Sequence, residues 1–227
     1  MFAEVLAMPS FFRSCLSIVV AALLLSPSSF AFDSLLSDQA VREAYFLGQR
    51  RDEKTAEFLE KYRRHFPIPE SGPWISTAEL FTPYAEMVEL SQRSLNYSAQ
   101  TAAKDYREHG NIVRVTVTVE FTSSYGFLIE QDVKQRSGST KGFAFRSPEF
   151  WKDFTYRLFD GEAVVEPLDV QGRPTFRSDD RSSAMTGAIV ILLYDVEKIS
   201  SSTDAAVVVD APDGQQAVAT FDLASLR

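Results

Sequence analysis

The apolar residues of this chain change their spacing near Gly110. From 33 to 109 they recur every three or four residues, as on one face of an α-helix. From 111 onward they alternate with polar residues, as in a β-strand with one buried face. Helices are therefore expected before strands, and the order predicts an α+β protein with an internal boundary at position 110.

Helical segments are predicted from the stripes at 36 to 47 and 55 to 66. The run 76 to 79 (Ser-Thr-Ala-Glu) has the pattern of a helix capping box, and a single long helix is predicted from 83 to 109. Residues 32–110 are therefore predicted to form a helical region.

Strand signals fill the rest of the chain. Residues 113 to 121 alternate, and 188 to 194 are apolar on both faces, which predicts a central strand. Asp-Gly pairs at 160–161 and 213–214 predict two hairpins. Residues 136 to 142 are predicted to form a polar loop. About seven strands predict that residues 111–227 form an antiparallel β-sandwich of immunoglobulin-like architecture and fold as a separate unit.

The N-terminal segment resembles a secretory signal in its order of features. Arg13 precedes the apolar run 15 to 25, and the small residues Ser29 and Ala31 follow it. Eleven helical residues cover roughly 16 Å, about half of a hydrocarbon core. Residues 1–31 are therefore predicted to be a cleaved signal peptide of a secreted or periplasmic protein. The alternative is a retained anchor that makes the chain a membrane-attached stalk, the only case in which a membrane is a partner.

Charge and composition exclude several classes of function. The chain has 23 Lys and Arg against 31 Asp and Glu, a net charge of −8, so a nucleic-acid partner is not expected. Its one cysteine, Cys15, lies in the predicted signal segment. Only two histidines occur, and no nucleophile, phosphate-binding or metal motif is present, so no catalytic residue, metal or cofactor is predicted.

An aromatic run between 142 and 159 is the one sequence feature that indicates a binding surface. Such rings fill a core, or they stack on sugars and bind proteins. Ser147-Pro148-Glu149 is expected to start a short turn that presents Phe150 and Trp151 together. These two residues are the candidate contacts for a protein or glycan partner.

The first hypothesis for function is an exported, non-enzymatic binding or assembly module of the cell envelope or extracellular space. The alternative is a secreted, glycosidase-like hydrolase that uses two carboxylates, a pair that no linear pattern reveals. A pocket lined by two carboxylates would favour the hydrolase, and an exposed patch around Trp151 would favour the binder.

Overall fold

A computed structural model of the protein describes residues 35–135, 138–178, 183–200 and 204–227. The four helices are α1 (Asp38–Arg50), α2 (Glu53–Glu60), α3 (Pro83–Arg93) and α4 (Ala99–His109). The strands are β1 (Arg63–His65), β2 (Trp74–Phe81), β3 (Ile112–Glu120), β4 (Leu128–Gln135), β5 (Gly138–Phe145), β6 (Thr155–Asp160), β7 (Ala163–Val165), β8 (Asp169–Ser178), β9 (Ser183–Asp195), β10 (Asp204–Asp210) and β11 (Gln216–Asp222).

The strands form three antiparallel sheets. Five strands have the order β1-β2-β3-β9-β8, four have the order β11-β10-β6-β7, and β4 pairs with β5. Buried residues of the two larger sheets belong to one hydrophobic core. The predicted α+β fold with a sandwich-like arrangement is therefore confirmed. Nine strands lie between 111 and 227 among the described residues, where about seven were predicted, and the two additional strands are β5 and β8.

Strict alternation places the core on one face of the five-stranded sheet. The alternating valines of β3 are fully buried, and β9 sets Ala188, Val190, Leu192 and Tyr194 opposite them. The valines are Val113, Val115, Val117 and Val119. Strand β9 lies between β3 and β8, so the predicted central position of 188 to 194 is confirmed.

The residues around Ser76 form strand β2 instead of a helix start. The pairing of β2 with β3 shifts between Ile75 and Thr77, which is the signature of a β-bulge. The extra residue breaks the period of two, so the buried apolar positions Ile75, Ala78 and Leu80 do not alternate as they would in a regular strand. The predicted capping box is therefore wrong, and the region predicted as helical contains this strand.

The predicted helix from 83 to 109 is two helices. Helix α3 ends at Ser94, whose backbone is extended, and Asn96 adopts a left-handed conformation with φ of 57°. Ser98 then caps α4 by accepting a hydrogen bond from the amide of Thr101. Asparagine tolerates the left-handed region better than most residues, which locates the break at this position.

Helix α3 is attached to the helix-facing side of the sheet by Arg114 of β3. The Nε atom of Arg114 lies 2.6 Å from Glu86 Oε2, and the Nη2 atom lies 2.5 Å from Glu89 Oε2. The side chain of Arg114 is only 13% exposed. Burial alone would lower the pKa of Arg114, but the two carboxylates outweigh burial and raise it. The guanidinium therefore stays charged between helix and sheet.

The turns predicted from Asp-Gly pairs are confirmed. Gly161 and Gly214 have φ of 58° and 90°, the left-handed region that glycine adopts without strain, and they connect β6 to β7 and β10 to β11. The polar loop predicted at 136 to 142 is wrong over most of its length. Strands β4 and β5 stay paired as far as Gln135 and Gly138.

Two predictions about chain organisation stay open. Strand β2 pairs with β3 across position 110, yet independent folding of 111–227 stays a prediction until a fragment is measured. The signal peptide at 1–31 lies outside the described residues. Within the described residues, none of the helices has the length and apolar character needed to span a membrane.

Candidate functional site

Phe150 and Trp151 lie in the core. Both belong to a short 3₁₀ helix, Phe150–Asp153, and are 2% and 9% exposed. The ring of Phe150 packs against Phe121 with a centroid separation of 5.0 Å. Of the two roles that the sequence left open, core packing and partner contact, the burial of the pair favours core packing, because the turn that begins at Ser147 faces the sheets instead of solvent. Their role in binding stays a prediction.

The exposed part of the aromatic run is its beginning. Phe143 and Phe145 of β5 are 72% and 71% exposed. A signal for this was present in the sequence, since the two rings alternate with Gly142 and Ala144 and so share one face of a strand. The sequence did not reveal whether another layer covers that face.

Strands β4 and β5 project as a two-stranded arm, which we define as residues 128–145. Neither strand pairs with a third strand among the described residues. Leu128 is opposite Phe145 and Glu130 is opposite Phe143, so the apolar side chains Leu128, Phe143 and Phe145 occupy one face. Lys141 Nζ lies 2.9 Å from Glu130 Oε2 beside them. The arm thus presents an apolar face with charged neighbours.

The base of the arm is held to the body by aromatic and cationic contacts. Phe145 stacks on Phe127 with ring centroids 4.8 Å apart. Arg146 donates from Nε to the carbonyl oxygen of Gly126 at 2.9 Å, and its guanidinium lies 3.6 Å from the ring centroid of Tyr125. Burial raises the pKa of Tyr125, although Arg146 opposes this shift. The ring under the guanidinium is therefore a neutral phenol.

A second exposed surface is the outer face of the four-stranded sheet. The pairings of β6, β7, β10 and β11 place Phe159, Val164, Val208 and Val218 on this face. Val164 and Val218 are 51% and 46% exposed. Aspartates stand at the ends of β6, β10 and β11: Asp160, Asp204, Asp210 and Asp222. The face therefore has an apolar centre and acidic strand ends, and Arg157 on the same face pairs with one of these acids, Asp210.

The sequence segments that contain the arm and this sheet differ in formal charge. Residues 128–145 hold three basic and two acidic residues, which gives 3 − 2 = +1. The segments 155–166 and 204–222 hold one basic and seven acidic residues, which gives 1 − 7 = −6. Segments of opposite net charge attract each other during encounter.

A pocket of about 470 Å³ lies between α3, α4 and the helix-facing side of β3 and β9. It is lined by apolar side chains, by the carboxylates of Glu86 and Asp105, and by Arg114 and His109. Glu86 is paired with Arg114, and Asp105 Oδ2 accepts a hydrogen bond of 2.8 Å from the hydroxyl of Tyr97. The sequence did not indicate this pocket, because its residues come from segments far apart in the chain.

Comparison of the chain with protein-family models, curated proteins and solved structures finds no match.

Proposed function

We propose that the protein is a non-enzymatic binding and assembly module whose arm binds a second copy of the same chain. The exposure of Phe143 and Phe145 on one face of the arm is the observation that carries this proposal. Large rings at solvent-exposed positions are typical of interfaces, where they contribute more binding energy than most residue types.

The arm needs a cover that its own chain does not supply among the described residues. A two-stranded hairpin is marginally stable in water, and a packed apolar face stabilises it. The outer face of the four-stranded sheet offers an apolar centre around Val164 and Val218. The formal charge of the sheet segments is opposite in sign to that of the arm segment, so the sheet of a second copy is the partner surface that we propose.

Reciprocal docking would close a dimer. If each arm binds the sheet of the other copy, a two-fold axis relates two identical contacts and their buried areas add. A single arm presents a small area, and small interfaces are weak and transient. We therefore expect reversible association that depends on protein concentration.

Sedimentation equilibrium on the purified protein tests this proposal, between about 1 and about 300 µM, a range that covers moderate and weak affinities. The double variant Phe143→Ser/Phe145→Ser should raise the dissociation constant at least about tenfold, because it removes the apolar contact. Val164→Ser/Val218→Ser should do the same from the acceptor side. Both variants should keep the melting temperature of the parent.

Leu95→Ser is the matched control, since Leu95 is 81% exposed and lies outside both surfaces. It should associate as the parent does. A parent that stays monomeric over the whole range would overturn the proposal, and so would equal effects of the arm variant and the control.

Export to the periplasm or extracellular space is part of the proposal and is supported by the order of features before position 32. If the apolar segment is retained, the protein is a membrane-attached stalk with the same assembly surface. A glycan partner remains an alternative for the arm, because exposed aromatic rings also stack on sugars.

The hydrolase alternative is favoured by the pocket that Glu86 and Asp105 line. Both carboxylates already have protein partners, Arg114 and Tyr97, which favours a binding site over one for proton transfer. Turnover on a panel of sugar and ester substrates, abolished by Asp105→Asn, would establish the hydrolase and displace the module.

A further inference from the structure

The pocket between α3, α4 and the sheet is lined mainly by apolar side chains. Met87, Leu90, Ile112 and Leu193 supply most of this surface. Its volume of about 470 Å³ is within the usual range of small-molecule sites, roughly 300–1,000 Å³. It is separate from the arm and from the acidic sheet, and the proposed assembly does not use it.

Negative charge is in excess at the polar side of the pocket. Glu86, Asp105, Arg114 and His109 line this side, and Glu89 pairs with Arg114 from outside the lining, so three carboxylates stand against one guanidinium, which gives 1 − 3 = −2 with His109 neutral. Arg93 lies 3.8 Å from Glu89, but its side chain is 59% exposed, so solvent screens this pair. Because Arg114 is paired with both Glu86 and Glu89, the carboxylate of Asp105 has no cation among the described ion pairs.

Tyr97 holds Asp105 without neutralising it. The hydroxyl of Tyr97 donates to Asp105 Oδ2 at 2.8 Å. Burial raises the pKa of Tyr97 well above its usual range, and the negative charges of Asp105 and Glu86 raise it further. The phenol therefore keeps its proton at neutral pH, and its donated hydrogen bond orients the carboxylate of Asp105.

We infer that this pocket binds a small amphipathic cation, with an apolar body against Met87, Leu90 and Leu193 and an ammonium or guanidinium head beside Asp105. A cationic head group would be attracted by the excess of negative charge, and an anionic one would be repelled. The apolar surface would contribute affinity through the area that it removes from water. This inference goes beyond the proposed assembly and does not depend on it.

Three ligands with one indole body separate the contribution of charge from that of apolar burial: tryptamine (a cation), 3-methylindole (neutral) and indole-3-propionate (an anion). Isothermal titration calorimetry at about pH 8 and about 50 mM salt limits screening of the head group. We expect affinity to fall in the order cation, neutral, anion, with tryptamine at least about tenfold tighter than the anion.

Asp105→Asn tests the carboxylate, because the amide keeps the shape and still accepts the hydrogen bond from Tyr97. Its dissociation constant for tryptamine should rise about tenfold, while that for 3-methylindole should stay within about twofold of the parent. Glu108→Gln is the matched control. It removes one negative charge from the same helix at an exposed position outside the pocket lining, so it should leave both constants unchanged.

Leu90→Trp tests the location, since a larger side chain would occupy the apolar floor. All three ligands should lose binding to this variant, with a melting curve as the check that it folds. Equal affinities for the three indoles, no binding of tryptamine at millimolar concentration, or equal losses in Asp105→Asn and Glu108→Gln would each overturn the inference.

Discussion

Gly172 of β8 faces the indole of Trp151 so closely that a Cβ atom at position 172 would lie 2.1 Å from Cε2 of the ring. Two further ring atoms would lie 2.3 and 2.7 Å from it. The indole is almost entirely buried and cannot turn into solvent. The absence of a side chain at 172 is therefore what allows the 3₁₀ helix to pack on the sheet.

Gly172→Ala should destabilise the protein by about 1–3 kcal/mol, the usual cost of overpacking a core. Denaturant unfolding measures the change. Gly126→Ala is the matched control, because a Cβ there meets nothing closer than 3.9 Å and its φ is not positive. It should change the free energy of unfolding by less than about 0.5 kcal/mol. Equal effects at both positions would contradict the close contact.

Trp151→Ala should lower the stability by about 3–5 kcal/mol and the melting temperature by more than about 5 °C. The expected loss follows from the buried position of the ring. Phe143→Ala, which truncates an exposed ring, should change stability by less than about 0.5 kcal/mol. A normal melting curve for Trp151→Ala would contradict the buried position and favour the role of this residue as a partner contact.

The region between 66 and 82 shows why sequence periodicity failed locally. Apolar residues alternate along a strand only while each residue pairs with one residue of the neighbouring strand. The bulge after Ile75 adds an unpaired residue and interrupts this alternation. By contrast, β3 and β9 have no such irregularity in their mutual register, and their alternation predicted them correctly.

The binding surfaces depend on tertiary placement, which a linear pattern does not contain. Phe143 and Phe150 occur in the same aromatic run, yet one is exposed on the arm and the other is buried under Phe121. The difference arises because β5 has a single neighbouring strand, whereas the 3₁₀ helix packs between layers. The pocket was not predicted for a similar reason. Glu86 of α3 and Asp105 of α4 line the same pocket only because the predicted long helix is interrupted at Asn96.

Stability should fall steeply at alkaline pH. Burial is the main cause that raises the pKa of several tyrosines, and that of Tyr62 rises to about 12. An unfolded tyrosine ionises near pH 10, so the folded state holds a proton that the unfolded state releases. The stabilisation is complete below about pH 10 and is lost as the pH rises toward about 12.

Absorbance at 295 nm and circular dichroism should therefore report one event, with most tyrosinate appearing only as the protein unfolds. Titration of all the tyrosines near pH 10 in a protein that still shows native circular dichroism would contradict this prediction. Tyr62→Phe should make the alkaline loss of stability less steep, because it removes one of the groups that cause it.

Unfolding measurements on a fragment of residues 111–227 test whether this part of the chain folds alone. Without β2, strand β3 loses one of its two neighbouring strands, and Ile75 and Leu80 no longer cover the core. We now expect a molten fragment that binds hydrophobic dye and lacks near-ultraviolet circular dichroism, in contrast to the intact chain. Cooperative unfolding of the fragment would instead support the separate unit that the change of period predicts.

Secreted protein should begin at Phe32, because the small residues before it satisfy the signal peptidase. N-terminal sequencing of exported material measures this directly. Full-length chain that stays in the membrane fraction after carbonate washing would identify the apolar segment as an anchor.

The arm joins the body through a short stretch on each side, Gly126 and Phe127 before β4 and Arg146 after β5. Its strands pair only with each other in the described part of the chain. Substitutions, insertions or deletions beyond these two joints leave the sandwich core unchanged, so natural selection can alter what the arm recognises at little cost to folding. Related chains should therefore differ in the length and sequence of this segment more than in β3 or β9, and the same joints are suitable positions for grafting a foreign hairpin.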